Sequence, residues 1–286
     1  MISFAKRNLL VFFKDKASVF FSLLAVFIII GLYVLFFGDA WTGGDTLGSI
    51  DGARFVMDSW VTAGLVAVAS VTTTMGAFGI MVDDKTKKIN KDFVSSPLKR
   101  SSIAGGYIIS AFIIGMIMSL ITLVVMEIYV VVNGGAIIDL PTFGKVLGIM
   151  VLSTFANTSM MLFIVLFFNS MNAFSTASTL VGTLIGFIAG IYMPIGQLPN
   201  AVQWVAKAFP ISHSASLFRQ VFMEAPMATA FAGAPVEFID GFKEELGVIF
   251  KMGDQQITVL GSIIFLAVTG VVFFLLSLVK LSAKKK

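Results

Sequence analysis

The sequence predicts an all-α integral membrane protein of 286 residues. It reads as a single domain with six transmembrane helices, an amphipathic helix ahead of them, a cytoplasmic helix between the second and third, and a structured outer segment before the last. Three observations lead there. Charged residues make up 13% of the chain, about half the usual share of a soluble domain. Apolar residues make up 57%, and the mean hydropathy is +0.97. Six apolar stretches, at 17–37, 60–82, 103–132, 145–168, 173–193 and 256–280, reach the roughly 20 residues needed to cross a hydrocarbon core.

In chain order, residues 1–16 precede the first span. Ile2, Ala5, Leu9, Phe12 and Phe13 share one arc of a helix and Ser3, Lys6, Arg7 and Lys14 another, with Leu10 interrupting the polar arc. Such a helix is expected to lie in the headgroup layer with its lysines toward anionic lipid. Ala17–Phe37 is longer than the 7–15-residue core of a cleavable signal, so it is read as a retained span.

Fourteen of the twenty Lys and Arg residues fall in the N-terminal segment, the 83–102 loop and the C-terminal tail, which places these regions and both termini in the cytoplasm. Trp41, Trp60 and Trp204 then fall on the outer side, where interfacial anchoring suits them. The net charge of +4 follows this distribution and marks no nucleic-acid partner.

The third span carries Glu127 near its outer end, where a carboxylate bonded to a neighbouring helix is expected. The second and fourth contain SVTTT (Ser70–Thr74) and STFANTS (Ser153–Ser159), whose hydroxyls bond their own backbone or an adjacent helix by default. An alternative makes Ala67, Ser70, Thr74 and Asn157 the lining of a path. Ser178, Gly182, Gly186 and Gly190 recur every four residues along the fifth span. That ridge fits packing within one subunit as well as a subunit interface or path-lining face. The 194–255 segment, with three prolines in its first 17 residues, is expected to hold short helices dipping back toward the membrane.

No phosphate loop, dinucleotide fingerprint, zinc-protease or serine-hydrolase motif occurs, and with one His and no Cys a transition-metal site is not expected. The chain is therefore read as no enzyme. His213 is taken for an ordinary surface histidine. Ion-coupled carriers usually show several intramembrane charges or paired broken helices, which this sequence does not display.

In the 83–102 loop, Thr86, Ile89 and Phe93 follow helical spacing among Lys87, Lys88, Lys91 and Asp92, and Ser95-Ser96-Pro97 ends the pattern. This short helix is better suited to a protein groove than to lipid. Here the chain resembles the membrane subunits of ABC-2-type ATP-binding-cassette exporters, through the leading interfacial helix, the six spans, the loop ending in SPLKRSSI, and the outer MPIGQLPNAVQWVAKAFPISH. VDDKTKKIN departs from that family in lacking its common Gly and Glu.

The resemblance implies a homodimer or close heterodimer of membrane subunits in the lipid bilayer, bound to two copies of an ATP-binding subunit that carries the ATP and Mg. It makes 83–102 a coupling helix, with Lys87, Lys88, Ile89, Phe93, Pro97 and Leu98 at the ATPase interface, and turns the outer segment into re-entrant helices. It draws Gly182 and Gly186, with Ala67, Ser70, Thr74 and Asn157, toward a translocation path. The expected setting is a bacterial plasma membrane. The near-absence of charge in the spans favours an amphipathic or hydrophobic cargo such as a drug-like natural product, a lipid or a peptide. Export of a polysaccharide or teichoic-acid-type polymer, an ion-coupled carrier, and a membrane anchor or sensor are the competing readings.

Overall fold

The computed structural model describes residues 1–37, 50–89, 92–93, 100–252 and 255–283. Five of its helices are long and apolar enough to cross a membrane, and a bent pair makes a sixth crossing if counted as one span.

The first helix, α1 (Ile2–Lys14), ends where Asp15 turns extended and caps α2 (Lys16–Ser22), accepting from the backbone N–H of Ala17 and Ser18. The bent pair is α2 with α3 (Leu24–Leu32), which meet at 48° and continue into a π-helical turn at Tyr33–Phe37. The break falls where Ser22 donates its hydroxyl to the Val19 carbonyl (2.8 Å), a local bond that competes with the helical ladder. The expected continuous span at 17–37 is therefore two helices.

The central element is α4 (Ala53–Thr86), whose most apolar stretch is 78% buried, against 17% for the outlying α7 (Met171–Ile188) and α12 (Val259–Ala283). It packs on α5 (Arg100–Val132), α6 (Leu140–Val165) and α7. At 34 residues it is about 51 Å long, roughly 20 Å more than a hydrocarbon core. It therefore overruns the expected 60–82 at both ends.

The fifth span stops at Ile188 instead of 193 because Gly190 takes φ +67 and the Ile191 N–H closes back on the Gly186 carbonyl (2.8 Å). After a 3-10 turn at Ile195–Gln197 come α8 (Asn200–Lys207), α9 (Pro210–Phe222), α10 (Glu224–Ala230) and α11 (Val236–Glu245). A two-stranded antiparallel hairpin, β1 (Phe250–Met252) with β2 (Gln255–Ile257), is the one departure from an all-α fold among the described residues.

Of these, α9 is inserted deepest: it is buried along most of its length against α4, α6 and α12. Pro210 at its first turn needs no amide partner, and Ser212, Ser214, Ala215 and Ser216 are small enough for close approach.

Candidate functional site

Two charged clasps hold the ends of α4. At the end shared with α1 and the last turns of α12, Asp84 is almost fully buried. It accepts a forked bond from the Arg7 guanidinium, with Nη2 at 2.8 Å, and a third bond from the Tyr107 hydroxyl at 2.6 Å. The carboxylate stabilises the charged guanidinium and raises the Arg7 pKa. Asn8 donates to Ser110 (3.3 Å), and the Phe4 ring meets Tyr107 edge-on at 5.1 Å. Close approach of α1 to α5 depends on Gly106, where an added Cβ would lie 2.6 Å from the Phe4 ring.

These contacts correct the expected orientation of α1. The arc against the bundle is Phe4, Ala5, Asn8 and Phe12, while Ile2 and Phe13 point away and Arg7, placed on the headgroup arc from sequence, turns to the protein.

The loop after α4 begins at this clasp. Thr86 is the last residue of α4, and the chain then turns over 87–89 with Lys88 at φ +63, a conformation ordinarily left to Gly or Asn. The Thr86, Ile89, Phe93 spacing is thus divided between α4, the turn, and a helical turn at Asp92–Phe93. Lys87 and Lys88 are exposed and Ile89 half-buried. Phe93 is half-buried against this chain: its ring meets Phe4 edge-on at 5.0 Å and the Arg7 guanidinium lies 5.3 Å from its centre. Pro97 and Leu98 lie outside the described residues.

At the opposite end, Asp58 is buried on α4, accepting from the Tyr33 hydroxyl (2.9 Å) with Arg54 one helical turn away. Two residues further along, the Trp60 indole donates to the Leu246 carbonyl (2.8 Å), and the fully buried Arg219 guanidinium lies over the Trp60 ring at 4.8 Å. Arg219 Nη2 donates to the Ala189 and Gly190 carbonyls at the end of α7 (2.9 and 3.0 Å), where a cation also meets the negative end of the helix dipole. Its Nε and Nη1 have no hydrogen-bond partner among the described residues. Burial pulls the Arg219 pKa down from its ordinary value.

His213 on α9 is buried, not on the surface: it stacks on Phe265 of α12 at 4.1 Å and contacts the Ser262 hydroxyl (3.2 Å) and the Lys207 carbonyl (3.0 Å). A carbonyl only accepts, so Nε2 carries the proton and Nδ1 receives the Ser262 hydroxyl. Burial lowers its pKa.

The residues considered for a path fall into two sets. Ala67, Ser70, Thr74 and Asn157 are fully enclosed within one chain. Asn157 Nδ2 donates to Ser70 Oγ (2.8 Å), Ser70 donates to the Ala67 carbonyl and Thr74 to the Ser70 carbonyl, so these groups join α6 to α4.

On α7 the ridge divides. Gly186 is closed by the Tyr192 ring and Gly190 forms the helix cap, whereas a side chain at Gly182 would enter open space. The exposed face of α7 carries Asn172, Ser175, Thr176, Thr179 and Thr183. Glu127 accepts from the Ile138 N–H (3.1 Å), holding the turn before α6 and not a neighbouring helix.

A bundle with this many apolar helices, knit among the described residues by buried charge at the ends of its longest one, is a multi-pass membrane protein. The model of the ABC-2 type transporter family matches residues 1–223, from α1 through α9, and the chain belongs to that family. It is a membrane transport component, the permease part of such a system. A comparison with curated proteins finds no match.

Proposed function

We propose that the chain is one of two membrane subunits, in a homodimer or close heterodimer, of an ATP-driven exporter. Two copies of a separate ATP-binding subunit seat against the end that carries Asp84 and the turn at Lys87, Lys88 and Ile89, which lies in the cytoplasm with both termini. The observation that carries this reading is α7: a helix long enough to cross the membrane yet 17% buried, displaying a hydroxyl stripe (Thr176, Thr179, Thr183) and an open Gly182. A second subunit facing α7 would enclose a path lined by uncharged polar groups, suited to an amphipathic or hydrophobic cargo moved out through a plasma membrane. On this reading α1 is the interfacial helix and 194–255 supplies the re-entrant cap.

Phe93, at the fringe of the ATPase contact, would pass movement of that subunit to Arg7, and through Asp84 to α4. Because Phe93 also holds α1, its truncation tests two things at once. Charge reversal at Lys87 and Lys88 leaves the clasp intact.

The test is co-expression with the candidate ATP-binding subunit, affinity purification through this chain, and mass measurement of the complex in lipid nanodiscs. The expected result is two of each subunit, with ATP hydrolysis that responds to an amphipathic cargo. Purification of the chain without the ATP-binding subunit, under conditions in which both are folded and membrane-bound, would overturn the proposal.

A further inference from the structure

A cleft of about 1060 Å³ opens at the end of the bundle opposite Asp84, between α6, α9, α10, α11, the hairpin and α12. Its volume is at the upper end of the roughly 300–1,000 Å³ of sites that take drug-sized molecules. It involves neither α7 nor its hydroxyl stripe, and so lies apart from the proposed path.

Its chemistry is graded along the spans that wall it. Lys145 sits near the start of α6, and Ile149 and Leu152 follow on the same wall; Gln256 precedes Val259 and Ile263 on α12. From Lys145 to Leu152 the wall runs about 10 Å along the helix axis, from charged to wholly apolar. Met227, Phe231 and Val248 continue the apolar lining from the outer segment, and Leu217 belongs to the cluster on which Ile149, Leu152 and Ile263 of the two spans pack. A compartment that is polar at the membrane's edge and apolar for about a third of the roughly 30 Å hydrocarbon thickness has the polarity profile of a lipid molecule.

The charges select among lipids. Three cationic residues line the cleft, Lys145, Arg219 and Lys243, against one acidic residue, Glu224. Lys145 and Glu224 face each other at 3.5 Å. Lys243 has no acidic partner among the described residues, whereas the Arg219 head group is fully buried and turned to the Trp60 ring and the carbonyls at the end of α7. An anionic occupant would pair Lys243, which an uncharged one would leave to solvent alone.

We infer that this cleft is a binding site for an anionic phospholipid, its acyl chain lying between α6 and α12 and its phosphate at the Lys145 and Lys243 level. The inference needs only that the chain spans a membrane, so it stands or falls separately from the exporter reading.

The test uses the full chain in phosphatidylcholine nanodiscs doped with a minor fraction of phosphatidylglycerol carrying a photoreactive group on one acyl chain. Parallel samples carry the same group on phosphatidylcholine. Labelled peptides are identified by mass spectrometry. Peptides spanning 145–152 and 256–263 should be labelled roughly fivefold more by the anionic probe, since one nearby unpaired cation favours an anionic headgroup by about that factor.

Ile263→Trp should obstruct the slot between α6 and α12 and sharply lower that labelling while leaving labelling on the last turns of α12 unchanged. Should Ile263→Trp fail to give a monodisperse helical protein, Lys243→Gln at the rim decides: it should cut the headgroup preference several-fold. Equal labelling by the two probes, labelling indifferent to Ile263→Trp in a folded protein, or preference untouched by Lys243→Gln would each overturn the site. So would full competition by soluble glycerol phosphate, which would make it a phosphate site and not a lipid one.

Discussion

Replacing Asp84 by Asn should release the N-terminal helix from the bundle while leaving the rest of the fold in place. The carboxylate accepts three bonds, two from Arg7 and one from Tyr107. The amide keeps a single accepting oxygen and turns its own N–H₂ toward the Arg7 donors. A hydrogen bond to a charged group is worth about 1.5–3 kcal/mol, and breaking a wholly buried ion pair about 3–5. The Arg7 side chain is 34% exposed, so water takes up part of the loss and the upper range does not apply.

Asn8–Ser110 and Phe4–Tyr107 remain in the variant and hold part of the contact. A net weakening of about 2–3 kcal/mol then raises the opening equilibrium of α1 by roughly 30- to 150-fold. Amide hydrogen exchange reads this directly, because local opening sets the rate. Peptides within residues 2–14 should exchange faster by that factor, and peptides of α6 and α12 should not change. The adjacent Asp83 provides the control: its ion pair with Lys87 is on the surface, and Asp83→Asn should leave α1 exchange as it was. Equal exchange in Asp84→Asn and the unmodified chain, or equal acceleration in the two variants, would show that the clasp does not hold α1.

Three further outcomes follow from the site. Arg219→Lys should lower thermal stability by about 1–3 kcal/mol, because an ammonium cannot both bridge the Ala189 and Gly190 carbonyls and lie flat on Trp60; an unchanged melting curve in the same detergent would contradict this. His213 has a lowered pKa, so the unfolded chain binds its proton first as the medium is acidified. Stability should be fully present above the unfolded value of about 6.5 and fall below it, and melting followed from about pH 7.5 to 5.5 should lose that component in His213→Gln. Gly182→Leu enters open space and should leave the single chain folded while weakening association through α7, whereas Gly186→Leu meets Tyr192 and should disturb the chain itself; size-exclusion mass measurement of both separates the effects, and an unaltered oligomer in Gly182→Leu would count against α7 as the subunit contact.

That the chain would hold five or six helices apolar enough to cross a membrane was legible, because some 20 apolar residues leave few other folds open to them. Their ends were not. Asp58 and Asp84 read as the polar limits of an apolar run, yet each is paired by residues distant in sequence, Tyr33 in one case and Arg7 with Tyr107 in the other. Only the fold supplies those partners, so the helix continues through both aspartates. Gly190 looked like one more small residue of a packing ridge, and no periodicity distinguishes a ridge glycine from one that takes a positive φ and ends the helix. The stretch PISHSASLFRQVF did carry a usable signal: Ile211, Ala215, Phe218 and Phe222 recur at helical spacing behind a proline. Read for period instead of for prolines, it predicts a helix with Arg219 flanking the apolar arc and His213 on the opposite face, so the burial of His213 shows only in the fold.

The contrast between the ends and the middle of α4 gives the chain its mechanical character. Asp58 and Asp84 are 26 residues apart, about 39 Å of helix, and so bracket a hydrocarbon layer of roughly 30 Å. Between them the polar groups are mostly Ser and Thr that return their hydrogen bonds to α4's own carbonyls, as Thr62, Ser70, Thr73 and Thr74 do. The Asn157 amide adds one inter-helical bond there, at Ser70. The middle of α4 is therefore held chiefly by close packing, which specifies distance but is weakly directional, while the ends are held by directional charged bonds that fix register. A helix pinned in this way resists sliding along its axis more than tilting about it. On the proposed exporter reading, displacement imposed on the Asp84 clasp through α1 or the turn at Lys88 would be delivered along α4 to Asp58, Trp60 and the Arg219 contact with the end of α7.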